Sequence, residues 1–328
     1  MAAVRRGLAL LPAGSGRHAP VVRKARVDAA HLLGFVRENF AADAAALVAI
    51  AGGETSQAYS IASAKREFVL RVLPAHRHRS LRAFNKDRLA AERYASKAVP
   101  IPRSLQSGRL GEDLVFSITE KVPGHTLAQL GKDAIRGLLP AIVEAVDAIH
   151  AIDVGDTRFG DWSGEGVASA ASWQEFLRIR SKEFDRRGRR EHGVLVEARA
   201  IERFRGCYAE LIASCPNERH LLHGDLSSGN LLADGSRISG VIDWAQAKYG
   251  DFLFDVARLD FWDADIGYAA CFRRHYAESG RSVARFEERL LCYQLYTGLG
   301  ALRFHSIAGN SGRVDWTIAR LNGLIAQR

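Results

Sequence analysis

One segment of the chain groups the side chains that are best suited to chemistry. His223, Asp225 and Asn230 form an HxDxxxxN pattern, and Asp243 follows a short apolar run. A carboxylate can orient an attacking hydroxyl group and accept its proton, while Mg²⁺ prefers carboxylate and amide oxygens. Phosphoryl transfer requires little more than such a base and such a metal site. The pattern therefore predicts phosphoryl transfer, with Asp225 as the catalytic base and Asn230 and Asp243 as the metal ligands.

The spacing of these residues suits a loop followed by a β-hairpin. Two apolar runs within residues 231–242 are separated by the turn-forming sequence ADGS. A hairpin of this kind returns Asp243 to the side of Asn230. His223 is better suited to bracing the loop through hydrogen bonds, a structural role, than to acid–base work.

The elements that must position this unit change in type along the chain. Apolar residues at helical spacing predict helices at 27–40, 85–97, 135–149, 173–179, 198–213 and 286–304. β-prone runs between turn residues predict strands at 47–50, 58–61, 68–72 and 114–118. The strand-rich front and the helix-rich back predict two lobes that join near residues 120–124. Substrates of such proteins bind in the cleft between the lobes.

The composition limits the classes of partner. The formal net charge is +9, but no run of arginine and lysine is long enough to form a basic arm, so we expect no nucleic-acid partner. The four cysteines form no CxxC pair and no zinc pattern, which is typical of a reducing compartment. No stretch approaches the roughly 18 apolar residues of a membrane span, and the apolar run near the N-terminus is too short for an export signal. We therefore expect a cytoplasmic monomer without a membrane partner.

The sequence of residues 221–262 resembles the catalytic loop and metal-binding strand of the aminoglycoside phosphotransferase family, a branch of the protein-kinase-like fold. The HxDxxxxN pattern, the sequence IDW and a later pattern of Gly250, Asp251 and Asp255 occur in the order that the family shows. The similarity covers nearly the whole chain. It implies an α+β, bilobal protein-kinase-like fold with a small antiparallel-sheet N-lobe and a mostly helical C-lobe.

The resemblance also divides the chain. Residues 1–25 are expected to form a flexible N-terminus, residues 26–121 the nucleotide-binding lobe, and residues 122–328 the catalytic and substrate-binding lobe. The family likeness implies ATP as the phosphate donor, without excluding GTP, and Mg²⁺ as the cofactor. Backbone groups of Glu120 and Val122, in the segment that joins the lobes, would contact the adenine edge.

The same resemblance assigns three N-lobe residues to the phosphates. Ser56 lies in the loop AGGETSQ between the first two strands, where backbone N–H groups would hold the β-phosphate. Arg71 stands in FVLRV where kinase-like proteins usually have a lysine, and its guanidinium keeps the charge but is bulkier and forked. Glu92 in the following helix is the expected ion-pair partner of Arg71, with Asp87 as the alternative.

Acidic and aromatic residues after the metal strand indicate the acceptor. Asp260, Asp263 and Asp265 would bind substrate amines. Trp262 would give a flat wall for a sugar ring. The alternative is that these carboxylates cap helices or pair with arginines. Within the family, FVLRV and residues 218–251 are most similar to the kinases of hygromycin B.

The resemblance thus implies an antibiotic kinase that phosphorylates a hydroxyl group of an aminoglycoside, either hygromycin B or a similar compound. The alternatives are a kinase of a peptide antibiotic of the viomycin or capreomycin type, and a kinase of a metabolite such as choline or homoserine. A nucleotide-binding pseudokinase is the alternative outside enzymes. Arg71 motivates this last alternative, whereas the intact Asp225, Asn230 and Asp243 argue against it.

Overall fold

The computed structural model describes residues 27–51, 56–64, 66–75, 79–155, 157–191 and 198–328. The flexible N-terminus predicted at residues 1–25 lies outside the described residues. The central part of the loop AGGETSQ, residues 52–55, also lies outside them.

A five-stranded antiparallel sheet forms the N-terminal part of the described chain. The elements of this part of the chain are α1 (Ala29–Asn39), β1 (Ala46–Ile50), β2 (Gln57–Ala62), β3 (Glu67–Pro74), α2 (Arg79–Tyr94), β4 (Ser104–Leu110) and β5 (Leu114–Glu120). The strand order is β1–β2–β3–β5–β4. Alternate residues of β3, namely Phe68, Leu70 and Val72, are buried on one face and form an apolar core with residues of α1. The predicted small antiparallel-sheet lobe is present.

The remainder of the chain is mostly helical. Its helices are α3 (Lys132–Gly137), α4 (Leu139–His150), α5 (Trp173–Glu191), α6 (Ala198–Leu211), α7 (Leu253–Trp262), α8 (Tyr268–Glu278), α9 (Phe286–Ile307) and α10 (Ser311–Ala326). Its short strands are β6 (His125–Thr126), β7 (Gly160–Asp161), β8 (His220–Leu222), β9 (Leu231–Asp234), β10 (Arg237–Val241) and β11 (Lys248–Gly250). α9 is buried along most of its length, between α6, α7 and α10. Every helix in the described ranges is too short or too polar to cross a membrane. The predicted α+β architecture, a small antiparallel sheet followed by a mostly helical part, is confirmed.

Helix α2 follows β3 in sequence but packs into the core of the helical part. Lys86 is 4% exposed and donates from Nζ to Ala247 O at 2.8 Å. Burial lowers the pKa of Lys86 to about 7. The hydroxyl groups of Tyr94 and Tyr249 share a hydrogen bond of 2.9 Å. Polar contacts as well as apolar packing therefore fix α2 to the helical lobe.

A buried ion pair holds the start of α7 against α9. Asp251 has no exposed surface, and its carboxylate accepts from Arg289 Nη2 at 2.5 Å and from Arg289 Nε at 2.9 Å. The Tyr293 hydroxyl donates to the same carboxylate at 2.6 Å, and Leu253 N does so at 3.1 Å. These contacts fix the orientation of α7, which carries two residues of the site described below.

Candidate active site

The candidate catalytic loop runs between β8 and β9, and its start is fixed by α7. Asp255 is fully buried and accepts hydrogen bonds from His223 N and Gly224 N, both at 2.8 Å. Burial alone would raise the pKa of Asp255, but hydrogen bonds from His150 and from the loop outweigh it, so the pKa is lowered. Gly224 has a φ of +77°, and a Cβ at this position would lie 2.1 Å from Gln246 O, so only glycine fits.

His223 lies under this loop with both ring nitrogens bonded. Nε2 donates to Ile242 O at 2.9 Å, and Nδ1 accepts from Asp225 N at 3.2 Å. Burial lowers the pKa of His223, so the ring is neutral and carries its proton on Nε2. A neutral ring with two such bonds suits the bracing role that the sequence predicts.

Hydrogen bonds bring Asp225, Asn230 and Asp243 together. Asn230 donates from Nδ2 to Asp225 O at 2.8 Å, and its Oδ1 remains as an acceptor. Ile242 N donates to Asn230 O at 3.0 Å, which places the next residue, Asp243, beside the amide. β9 and β10 pair antiparallel. The predicted hairpin is confirmed.

The oxygen atoms at this junction suit Mg²⁺. Asp243 adopts a left-handed conformation (φ 67°, ψ 63°), which is uncommon for a residue other than glycine and is frequent at functional sites. The Asp243 side chain is 34% exposed and that of Asp225 is 36% exposed, so both carboxylates are accessible. Mg²⁺ takes few protein ligands and completes its shell with water and phosphate oxygens. No group of three or more His, Cys, Asp or Glu side chains suited to a metal occurs in the described ranges.

Arg71 of β3 bridges two carboxylates. Nη1 lies 2.9 Å from Asp87 Oδ2, and Nη2 lies 3.2 Å from Asp243 Oδ2. The prediction that Glu92 pairs with Arg71 is wrong, because Glu92 is exposed and pairs with Arg88 at 2.7 Å. Five residues rotate an α-helix by about 140° beyond one full turn, so Glu92 and Asp87 face different directions. The alternative partner, Asp87, is the residue in contact.

The two carboxylates that contact Arg71 differ in pKa. Burial raises the pKa of Asp87 to about 7, in spite of the guanidinium. Burial acts in the same direction on Asp243, but there the charge of Arg71 outweighs it and holds the pKa below its usual value. Asp87 also accepts from Trp244 N at 2.6 Å. Asp243 is therefore the more readily ionised carboxylate of the two, which suits a metal ligand.

The residues assigned to the nucleotide lie along the sheet and just after β5. Ser56 is half-buried immediately before β2. Glu120 donates its backbone N–H to Arg103 O at 3.0 Å, so this N–H is not available to a nucleotide. Val122 packs on β10, where a Cβ at Gly240 would lie 2.7 Å from its Cγ2. The roles of Ser56, Glu120 and Val122 at a nucleotide stay predictions.

Asp260 is enclosed within the helical lobe. Its carboxylate accepts from Ala269 N at 3.1 Å, from Gln294 Nε2 at 2.8 Å and from Arg320 Nη2 at 3.4 Å. The side chain is only 13% exposed, because α8, α9 and α10 cover this part of α7. The prediction that Asp260 binds substrate amines is therefore wrong. The alternative of helix capping and arginine pairing describes its contacts.

The other residues predicted to bind substrate differ in accessibility. Asp265 is 52% exposed and pairs with Lys132. Trp262 is half-buried and stacks on Trp316, with the ring centroids 5.7 Å apart. Asp263 is half-buried, and its Oδ2 has no hydrogen-bond partner among the described residues. Contact of these three residues with a substrate stays a prediction.

Arg258 of α7 is a site residue that the sequence pattern did not indicate. Its Nη2 pairs with Oδ1 of Asp225, and its side chain is 14% exposed. The only signal in the sequence is its position three residues after Asp255, because residues at this spacing share a helix face. α7 therefore supplies both the carboxylate that fixes the loop and a cation that contacts the expected base.

Two carboxylates and an amide on one loop and hairpin, between an antiparallel sheet and a helical lobe, are the arrangement expected of a kinase-like phosphotransferase. The comparisons with known proteins agree with this class. The family model described as "Phosphotransferase enzyme family" (APH) matches residues 46–288. The chain belongs to this family, and its activity is that of an O-phosphotransferase.

Several relatives are similar over most of their length. Hygromycin-B 4-O-kinase of Escherichia coli is 30% identical over 285 residues, which cover 85% of this chain and 80% of that protein. A solved structure is also similar: a thermostable mutant of aminoglycoside phosphotransferase APH(4)-Ia in a ternary complex with AMP-PNP and hygromycin B. The match has 30% sequence identity and a TM-score of 0.78, and it covers 90% of this chain and 98% of that one. The macrolide 2'-phosphotransferase type I is 18% identical with a TM-score of 0.62, covers 89% of this chain and 96% of that one, and shows the fold alone.

Proposed function

We propose that the protein transfers the γ-phosphate of ATP to a hydroxyl group of hygromycin B or of a similar aminoglycoside, with Mg²⁺ held by Asn230 and Asp243. The observation that carries this proposal is the junction of the catalytic loop and the hairpin, where Asn230 bonds to the backbone of Asp225 and to the backbone of Ile242, the residue before Asp243. The substrate follows from the relatives that act on or bind hygromycin B. The nucleotide follows from the neighbours that contain AMP-PNP or ADP.

The chain's own residues account for the proton and for the positions of the reacting groups. Asp225 accepts the proton of the acceptor hydroxyl on the carboxylate oxygen that Arg258 does not occupy. The O–H bond breaks as the oxygen bonds to phosphorus, and ADP leaves with the electrons of the cleaved P–O bond. Mg²⁺, when bound, offsets charge on the phosphates. Asp87 of α2 holds the guanidinium of Arg71 in position for the phosphates.

The lobes of this enzyme divide at residues 121 and 122, and the acceptor binds against the C-lobe. Asp263, Asp265 and Trp262 line its approach. Asp265 is exposed enough to exchange Lys132 for a substrate amine. The stacked pair of Trp262 and Trp316 gives a flat surface of the size of a sugar ring.

Acceptor-dependent release of ADP tests the proposal. The panel contains hygromycin B, other aminoglycosides, viomycin, capreomycin, a macrolide and choline, each with ATP and with GTP, and mass spectrometry follows the phosphorylated product. We expect the highest kcat/KM with hygromycin B. If only choline or only a peptide antibiotic is turned over, the substrate belongs to that class instead. If none of the acceptors in the panel stimulates ADP release, the aminoglycoside assignment is contradicted.

Asp243→Ala is expected to raise the Mg²⁺ concentration at half-maximal rate by at least about tenfold, because an ionised oxygen ligand is lost. Arg71 keeps its contact with Asp87 in this variant, so the local fold is preserved. The measurement is the initial rate as a function of Mg²⁺ at fixed ATP. Asp234→Ala is the control, since Asp234 is an exposed residue in the turn of the same hairpin. An unchanged Mg²⁺ dependence in Asp243→Ala would remove Asp243 from the metal site.

Asp87→Asn is expected to raise the KM for ATP about 10- to 100-fold, because a hydrogen bond to a charged group contributes about 1.5–3 kcal/mol. The amide oxygen can still accept from Trp244 N, so the change is confined to the contact with Arg71. The matched control is Glu92→Gln in the same helix, which should leave the KM within about twofold because exposed ion pairs contribute little. Equal effects of the two changes would contradict the observed pairing.

A further inference from the structure

Helix α7 places two oppositely charged side chains against the catalytic loop. Asp255 binds the loop backbone through His223 N and Gly224 N. Arg258, three residues later, contacts the side chain of Asp225. Asp255 has no exposed surface, so the part of α7 that carries both residues is fixed in the core. The guanidinium therefore reaches Asp225 from a rigid support.

Arg258 is mostly buried, and its guanidinium is directed at Asp225. Its side chain is 14% exposed, whereas the Asp225 side chain is 36% exposed. The Nε atom of Arg258 is buried and has no hydrogen-bond partner among the described residues. A buried donor without a partner is unfavourable, so the position of this side chain serves its contact with Asp225 rather than full satisfaction of its own donors.

We propose that Arg258 is a positioning residue for phosphoryl transfer. Its guanidinium donates a hydrogen bond to Oδ1 of Asp225. This contact fixes the carboxylate rotamer and leaves Oδ2 free to accept the proton of the acceptor hydroxyl. The inference rests on the proposed function, in which Asp225 is the base.

The charges around the site give Arg258 a second effect. Asp225 and Asp243 are both anionic groups that must lie near a triphosphate, and like charges repel. Asp243 is offset by Arg71 from the sheet, and Asp225 is offset by Arg258 from α7. Each carboxylate of the junction thus has its own arginine, one from each lobe. Loss of Arg258 leaves the anionic base to repel the charge on the phosphoryl group as it transfers, which lowers kcat rather than the affinity for ATP.

A set of Arg258 variants tests the inference. Arg258→Gln should lower kcat about 100-fold, the loss that a misplaced reacting group causes, while the KM for ATP stays within about threefold because Arg71 and Asp243 are untouched. Arg258→Met keeps the aliphatic stem and should behave in the same way. Methylguanidinium at millimolar concentration should restore part of the lost kcat in both. Arg237→Gln is the control, since Arg237 is 71% exposed on the hairpin turn.

A double-mutant cycle separates positioning from a structural role. In the background of Asp225→Asn, Arg258→Gln should change kcat by less than about threefold, because residues that act through one another are not additive. A wild-type kcat in a folded Arg258 variant would overturn the inference. So would a fall in kcat of about 100-fold when Arg258→Gln is added to Asp225→Asn. An active Asp225→Asn enzyme would instead overturn the proposed base. If Asp225→Asn is inactive while Arg258→Gln is fully active, only the positioning role of Arg258 is contradicted.

Discussion

Asp225→Asn is expected to lower kcat by about a thousandfold, within the range that general base catalysis contributes. The amide has nearly the same shape as the carboxylate but cannot accept the hydroxyl proton. The backbone contacts of the loop, which run through His223, Asn230 and Asp255, do not involve the changed atoms. The KM for ATP should therefore stay within about threefold, and steady-state kinetics with hygromycin B measures both quantities.

Asp234→Asn is the control for this change, because it makes the same substitution on an exposed turn of the following hairpin. Single-turnover kinetics should show that the chemical step, rather than product release, is slowed in Asp225→Asn. A rate near that of the wild type would exclude Asp225 as the base, whatever its geometry.

Asp251→Ala is expected to destabilise the fold by about 3–5 kcal/mol, the cost of removing one partner of a buried ion pair. Arg289 is 4% exposed, so its charge would remain in the core without the carboxylate that now bonds it twice. Tyr293 would lose its acceptor as well. Urea unfolding, followed by fluorescence and circular dichroism, gives the change in stability.

The comparison for this prediction is Asp133→Ala, which removes an ion pair whose carboxylate is 98% exposed. Exposed pairs contribute about 0–1 kcal/mol, so the unfolding curve should hardly move. A similar small shift for both variants would mean that the pair of Asp251 and Arg289 adds little to stability.

The parts of the fold that the sequence predicts are those with a clear local period. The hairpin of β9 and β10 has two apolar runs and a short polar turn, and it forms as expected. β4 was missed because Ser104, Gln106, Ser107 and Gly108 are half-buried and lack apolar alternation. α7 was missed because seven of its ten residues are buried, so its apolar residues are not confined to one face of the helix.

The candidate site follows the same division between local and tertiary information. Asp225, Asn230 and Asp243 are recognisable because a single loop and hairpin contains them. The choice between Glu92 and Asp87 depends on how α2 is rotated against β3, which two acidic residues in one helix do not reveal. The enclosure of Asp260 likewise depends on α9 and α10, which follow it in sequence and cover it only in the folded chain.

The anchoring of α2 bears on how such an enzyme is controlled. Protein kinases can be switched off by moving the helix that pairs with the phosphate-binding cation. In this protein the same movement would break the hydrogen bond of Lys86 to a backbone carbonyl and that of Tyr94 to a second hydroxyl group. It would also expose apolar residues in the core of the helical lobe. An off state of that kind would cost these contacts, so we expect the enzyme to be competent without a separate activation step. Its output would track the arrival of substrate rather than an upstream signal.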